Sequence, residues 1–252
     1  MRLLRWTLAL TLMIGSTMYV QGQGYAFGLK GGLTIGTQNW DNSFQRDALF
    51  RYHGIAFIES LPEDNRFALF AQAGYHLKGS AIRTFSSTTV DQNGNRRTFP
   101  SFTQPFEFRN VSITLGGKQK YASNFLNGSL YYMFGIRGDY TISTNFDNFD
   151  LEANPFYALI YPIEGFVNKF NYGATLGGGI EIPLGELTGV LLEFTVNPDF
   201  SKQYNQPQID NIINPNPDSS QGNITIRERS ITNITFELTA GFRFLNIFEY
   251  ID

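Results

Sequence analysis

The stretch Ile231 to Phe244, ITNITFELTAGFRF, places Ile234, Phe236, Leu238, Ala240, Phe242 and Phe244 on one parity and Thr235, Glu237, Thr239, Gly241 and Arg243 on the other. Successive side chains of a β-strand point to opposite faces, so this alternation predicts a strand with one apolar and one polar side. About ten such residues ending in aromatics also suit a strand that crosses a bilayer. Seven earlier segments repeat the pattern. Gly24 to Gly36 opposes Tyr25, Phe27, Leu29, Leu33 and Ile35 to Ala26, Gly28, Lys30, Gly32 and Thr34. Arg66 to Gly79, Phe106 to Tyr121, Leu130 to Ile142, Phe170 to Pro183 and Gly189 to Asn197 alternate in the same way. In Tyr52 to Leu61, Glu59 shares a parity with Ile55 and Phe57. Either a bulge shifts the phase there or the inner face is partly apolar.

The connections sort by length. Pro62 to Asn65, Ala122 to Gly128 and Leu184 to Thr188 are short, whereas Thr37 to Arg51, Ser80 to Pro105, Ser143 to Lys169 and Pro198 to Arg229 are long. Short and long connections in alternation, an even strand number and both termini on the short-turn side predict an all-β fold: an eight-stranded antiparallel up-and-down transmembrane β-barrel. The expected setting is a bacterial outer membrane, with the termini and turns periplasmic, four long loops extracellular and membrane lipid around the wall.

The N-terminus agrees with export. Arg2 and Arg5 precede an apolar run from Trp6 to Val20 and the small residues around Gly22, which reads as a cleaved signal peptide over residues 1–22 and leaves 23–252 for the barrel. Charged residues make up 16% of the chain and aromatics 15%, against a usual charged share of about a quarter. Loss of Arg2 and Arg5 leaves 17 basic against 22 acidic side chains, net −5, which argues against nucleic acid as a partner. With no Cys, disulfide and thiol chemistry are excluded.

Candidate chemistry is sparse. The inward parity carries Lys30, Lys78, Lys118, Lys120, Arg137 and Arg243 together with Asp139, Glu181, Glu193, Glu237 and, on one phase, Glu59. Eight strands enclose a space that side chains fill, and an ion left unpaired in it is costly, so these charges are expected to pair and plug the bore. A narrow solute pore is the weaker reading. A rim enzyme would need a histidine: His53 is placed at the outer end of the second strand and His76 inside the upper third strand, neither with an evident third partner. No catalytic, cofactor or metal residues are assigned. Gly177-Gly178-Gly179 lacks the helix of a phosphate loop and reads as close strand approach or sheet bending.

Function is then expected in the loops. Thr84 to Phe102 contains Asn93-Gly94 between β-formers, the signal of a hairpin standing above the membrane. Asn154 to Phe166 is apolar for a loop, with Phe156, Tyr157, Leu159, Ile160, Tyr161 and Phe166, and predicts a lid over the mouth or a docking patch for a protein. Gln203 to Asn223, rich in Asn, Pro, Gln and Ser, is expected to lack fixed structure.

Several stretches together, Phe27-Gly-Leu-Lys-Gly-Gly-Leu-Thr34, Gly54-Ile-Ala-Phe-Ile-Glu59 with the following Pro62-Glu-Asp turn, and Phe67-Ala-Leu-Phe-Ala-Gln-Ala-Gly-Tyr-His-Leu-Lys-Gly79, resemble the PorT-like outer-membrane barrel proteins of the Bacteroidetes. The likeness extends to Gly177-Gly-Gly179 and Gly241-Phe-Arg-Phe244. It implies an eight-stranded barrel and, from some members, a role in type IX secretion or gliding through partners in a secretion or envelope complex. It carries over no functional residue. The chain departs from the pattern in running eight residues past Phe244, Leu245 to Asp252.

Overall fold

The computed structural model describes residues 22–41, 46–62, 66–90, 94, 96–123, 127–148, 161–214 and 222–247. Residues 1–21 of the expected signal peptide lie outside them, and its last residue, Gly22, is where the first strand begins. Eight long strands form an antiparallel ring: β1 (Gly22–Trp40), β2 (Asp47–Pro62), β3 (Phe67–Thr84), β6 (Phe102–Ala122), β7 (Ser129–Thr144), β8 (Phe170–Pro183), β9 (Thr188–Pro198) and β13 (Arg229–Ile247). Each pairs with its sequence neighbour in the ring, and β13 returns to β1 in a ladder running from Gly24↔Ile247 through Leu33↔Leu238 to Trp40↔Ile231. Closure leaves no free edge in the wall, which satisfies the backbone without water.

Parity decides which side chains fill the ring. On β6, Phe106, Phe108, Asn110, Ser112, Thr114, Lys118 and Lys120 are buried while Val111, Ile113 and Leu115 point out. Around the wall, Leu29, Tyr52, Ile113, Ile136, Leu238 and Phe242 are each 60 to 68% exposed. Large apolar side chains therefore cover the outside and charged ones the inside, the reverse of a water-soluble protein. On β2 the alternation is unbroken, with Ile55, Phe57 and Glu59 all buried inside, so the bore is partly apolar and no bulge intervenes among them. The β2–β3 ladder does slip, but between Ala48 and His53. Gly79 follows on β3 with φ +156°, and a Cβ there would lie 2.0 Å from the Phe106 carbonyl oxygen.

The wall continues above the apolar band. β1 runs on to Trp40 and β2 starts at Asp47, so the first outer connection is only Asp41–Arg46, not the long Thr37 to Arg51 expected. Residues such as Gln38 and Asn39 do not follow the apolar pattern, yet their ladder to Asn233 and Thr232 persists because pairing needs only backbone. The expected hairpin is present as β4 (Ser87–Val90) paired with β5 (Arg96–Phe99), around Gly94 at φ +82°; Asn93 lies outside the described residues. Part of the segment expected to be unstructured pairs as well: β10 (Tyr204–Gln206) adds to β13, and β11 (Ile209–Ile213) pairs with β12 (Asn223–Ile226).

Candidate functional site: a filled, charge-neutral bore

At the turn end, Lys120 of β6 bridges Glu59 of β2 and Glu181 of β8, the latter at 3.1 Å, and Arg243 of β13 also pairs with Glu181. Lys118 Nζ meets Glu59 Oε2 at 2.8 Å, and Lys30 Nζ meets Glu193 Oε1 at 2.5 Å. The Tyr131 hydroxyl donates to Glu193 Oε2 at 3.0 Å. Lys118 also sits 4.6 Å from the centre of the Tyr131 ring and 5.5 Å from that of Phe57, so the apolar inner residues contribute cation–π contacts. Tyr131 packs directly on Gly179, where a Cβ would lie 2.7 Å from its hydroxyl oxygen. Close approach, as expected, is what the glycine triplet provides.

Midway along the bore the two histidines stack, with ring centres 5.6 Å apart and planes at 13°. His76 Nδ1 lies 2.6 Å from Glu237 Oε1, while His53 is held between Thr34 at 3.0 Å and Thr239 at 2.9 Å. His53 was expected at the outer rim; it is 4% exposed and inside, because β2 starts at Asp47, five residues before the expected Tyr52, and carries it down the wall. His76 is likewise 4% exposed, so both imidazoles lie inside the bore rather than at its rim.

Above them, Lys78 Nζ contacts Asp139 at 2.7 Å and Asp199 at 3.4 Å, and Arg137 contacts Asp139 through Nε at 2.9 Å and Asp199 through a second nitrogen. Asn233 donates to Asp199 Oδ2 at 2.8 Å. Sequence reasoning missed Asp199 by ending the seventh strand at Asn197, although the inward parity of Glu193, Thr195 and Asn197 leads straight to it. With it the count changes. Among the described residues, Lys30, Lys78, Lys118, Lys120, Arg137 and Arg243 face Glu59, Asp139, Glu181, Glu193, Asp199 and Glu237, six cations against six carboxylates. The residues expected in the network all line the bore, but in separate groups, and Glu237 meets His76 rather than one of the expected cations. Between the tiers, next to His76, Glu237 and Arg137, a cavity of about 10 Å³ remains, room for roughly one water.

Aromatic side chains close the loop end. Trp40, Phe106, Phe108, Phe146, Tyr204 and Ile231 form a buried cluster. Phe108 and Phe146 meet edge to face at 5.1 Å and 82°. Arg46 lies over both Trp40 and Phe106, its guanidinium carbon 4.0 and 4.2 Å from their ring centres. Burial, reinforced by the nearby Arg229 charge, lowers Arg46 to about 10, which leaves it cationic at neutral pH. Tyr204 is shifted upward, also by burial, and its hydroxyl donates to Gln206 Oε1 at 2.6 Å. From the apolar loop, Tyr161 and Phe166 pack against this cluster, Phe166 reaching Tyr204 edge to face at 6.3 Å. Phe156, Tyr157, Leu159 and Ile160 lie outside the described residues.

Among the described residues no cluster of His, Cys, Asp and Glu has a metal-binding arrangement. No protein-family model matches the chain, and no curated protein does. Solved structures similar to it include Ail, the attachment invasion locus protein of Yersinia pestis, at 11% identity over 88% of this chain and 99% of that one with a TM-score of 0.36. The outer membrane protein OprG from Pseudomonas aeruginosa gives 12%, 89%, 99% and 0.43 in the same order. The outer membrane protease OmpT from Escherichia coli gives 10%, 90%, 98% and 0.42. Likenesses of this strength carry no functional information about this chain, whose barrel architecture rests on its own strand ladders.

Proposed function

We propose that the chain is a non-conducting, non-enzymatic bacterial outer-membrane barrel that presents its loop-side hairpins to a protein partner. The observation that carries this reading is the pairing of opposites in one wall: an apolar exterior suited to hydrocarbon around a bore filled by neutral ion-pair tiers and stoppered by aromatics. A pore needs a continuous wet path, and a rim enzyme needs a reactive group at the mouth. In this reading the short turns and both termini face the periplasm.

The docking surface is assigned to β4–β5, which stands clear of the ring with Phe85 86% exposed and Val90 and Phe99 exposed beside Arg96 and Arg97. Exposed aromatic and arginine side chains are the residue types that anchor protein interfaces. The resemblance to PorT-like barrels directs the search for a partner to a secretion or envelope complex. The test is affinity capture from detergent-solubilised envelopes with wild type and with residues 85–101 replaced by a short Gly/Ser turn. Loss of one stoichiometric partner in the variant, with planar-bilayer conductance negligible for both, supports the reading. Steady wild-type conductance, or capture indifferent to the hairpin, refutes it.

A further inference from the structure

The lipid-facing wall is not uniform. On β8 the outward position between Leu176 and Ile180 is Gly178, so a depression opens in the apolar band, flanked by Leu130 and Tyr132 on β7 and Leu192 and Phe194 on β9. It is a shallow, open depression of about 690 Å³. Gly178 cannot readily be filled by evolution or by engineering, because a Cβ there would lie 2.7 Å from the Tyr131 carbonyl oxygen. The depression is therefore built into the backbone.

We infer that this groove is a binding site for one acyl chain of a phospholipid from the turn-side leaflet. The inference rests on the membrane reading above. The lining decides the chemistry: apart from Glu193 and Thr239, whose side chains are buried in the bore, it is aliphatic, aromatic or glycine, and it lies in the band that hydrocarbon covers. The ends decide the leaflet. Tyr121, at the turn end of β6, brings its hydroxyl within 3.4 Å of that of Tyr132, and paired tyrosine hydroxyls at the edge of an apolar band mark the level of the lipid head groups. A chain entering beside these hydroxyls runs over Gly178 toward the middle of the wall, where it contacts more surface than a chain lying against a convex wall. Its residence is correspondingly longer than that of the surrounding lipid.

The test uses the mature barrel refolded with phosphatidylethanolamine in mild detergent and read by native mass spectrometry. Wild type should retain one phospholipid. The groove-filling variant Ile180→Trp/Leu192→Trp should lose at least tenfold of that adduct, while Ile58→Trp, on β2 diametrically across the ring, should keep it. Equal adducts in all three proteins, or none in wild type, overturn the site. A two-chain species that the groove-filling variant abolishes overturns it in favour of a second copy of the chain. Insertion of each protein into phospholipid vesicles is measured in parallel by the gel-mobility shift on heating. Wild type that inserts but retains no lipid refutes this site alone; wild type that fails to insert refutes the membrane reading itself.

Discussion

Neutrality of the bore makes a quantitative prediction at Asp199. Asp199→Asn leaves the six Lys and Arg side chains of the bore tiers against five carboxylates and withdraws an anion from both Lys78 and Arg137, each of which keeps Asp139. Breaking a buried pair by removing one partner costs on the order of 3–5 kcal/mol, because the other charge stays buried without full compensation. Sharing with Asp139 places Asp199→Asn toward the lower end, about 3 kcal/mol. Arg137→Met alone reverses the imbalance and should cost a similar amount, since it takes a cation from both acids. Combining the two restores neutrality at five against five and leaves Lys78 with Asp139 at 2.7 Å. The double variant should therefore be more stable than the sum of the single losses by about 0.5–3 kcal/mol, the range for directly coupled residues. Reversible urea unfolding in phospholipid vesicles, followed by the gel-mobility shift and by tyrosine and Trp40 fluorescence, measures all four corners of the cycle. Strict additivity would falsify the argument that charge balance, rather than packing alone, organises this tier.

Other consequences concern the mouth, the topology and the histidines. Phe106→Ala should destabilise the barrel by about 3–5 kcal/mol, the usual cost of deleting a buried Phe, while conductance stays negligible because the ionic tiers below remain filled; opening of a steady current would show that the stopper alone seals the bore. Protease added to intact cells should cut within Ser80 to Pro105 and Gln203 to Asn223 and spare Leu184 to Leu187, whose turn is closed by the Leu184 amide donating to the Thr188 carbonyl at 3.0 Å; cleavage confined to the short turns would invert the topology. His53→Ala and His76→Ala should leave partner capture intact in correctly folded barrel, and His76→Ala should lower stability more, since it strips a contact from the buried Glu237. Loss of capture in a folded histidine variant would return the argument to catalysis.

Strand identity and facing were legible because both are local. A side chain's parity along a strand fixes whether it meets lipid or lumen, and the contrast between Val111, Ile113 and Leu115 and Asn110, Ser112 and Thr114 is visible without knowing any partner strand. The same parity correctly gathered Lys30, Lys118, Arg137, Asp139, Glu181, Glu193, Glu237 and Arg243 inside. It would have delivered Asp199 and Trp40 too, had it been followed past Asn197 and past Gly36, where the outward Thr37 and Asn39 are no longer apolar and the pattern fades. The first outer connection was overestimated for the same reason.

What the sequence alone determined about this protein is therefore one-dimensional: eight alternating strands, the sorting of turns from longer connections, and a charged inner face beneath an apolar outer one. Which cation meets which carboxylate was decided by tertiary structure, because those pairs depend on the stagger between strands far apart in the chain, as with Lys30 and Glu193. The choice between a bulge and an apolar patch at Glu59 was decided in the same way. Phe57 is tolerated inside because Lys118, from β6, reaches across the bore to its ring. The stopper likewise exists only in three dimensions. Trp40, Phe106, Phe146, Phe166 and Tyr204 come from five separate segments, and no local pattern in any of them records that they close over the same mouth.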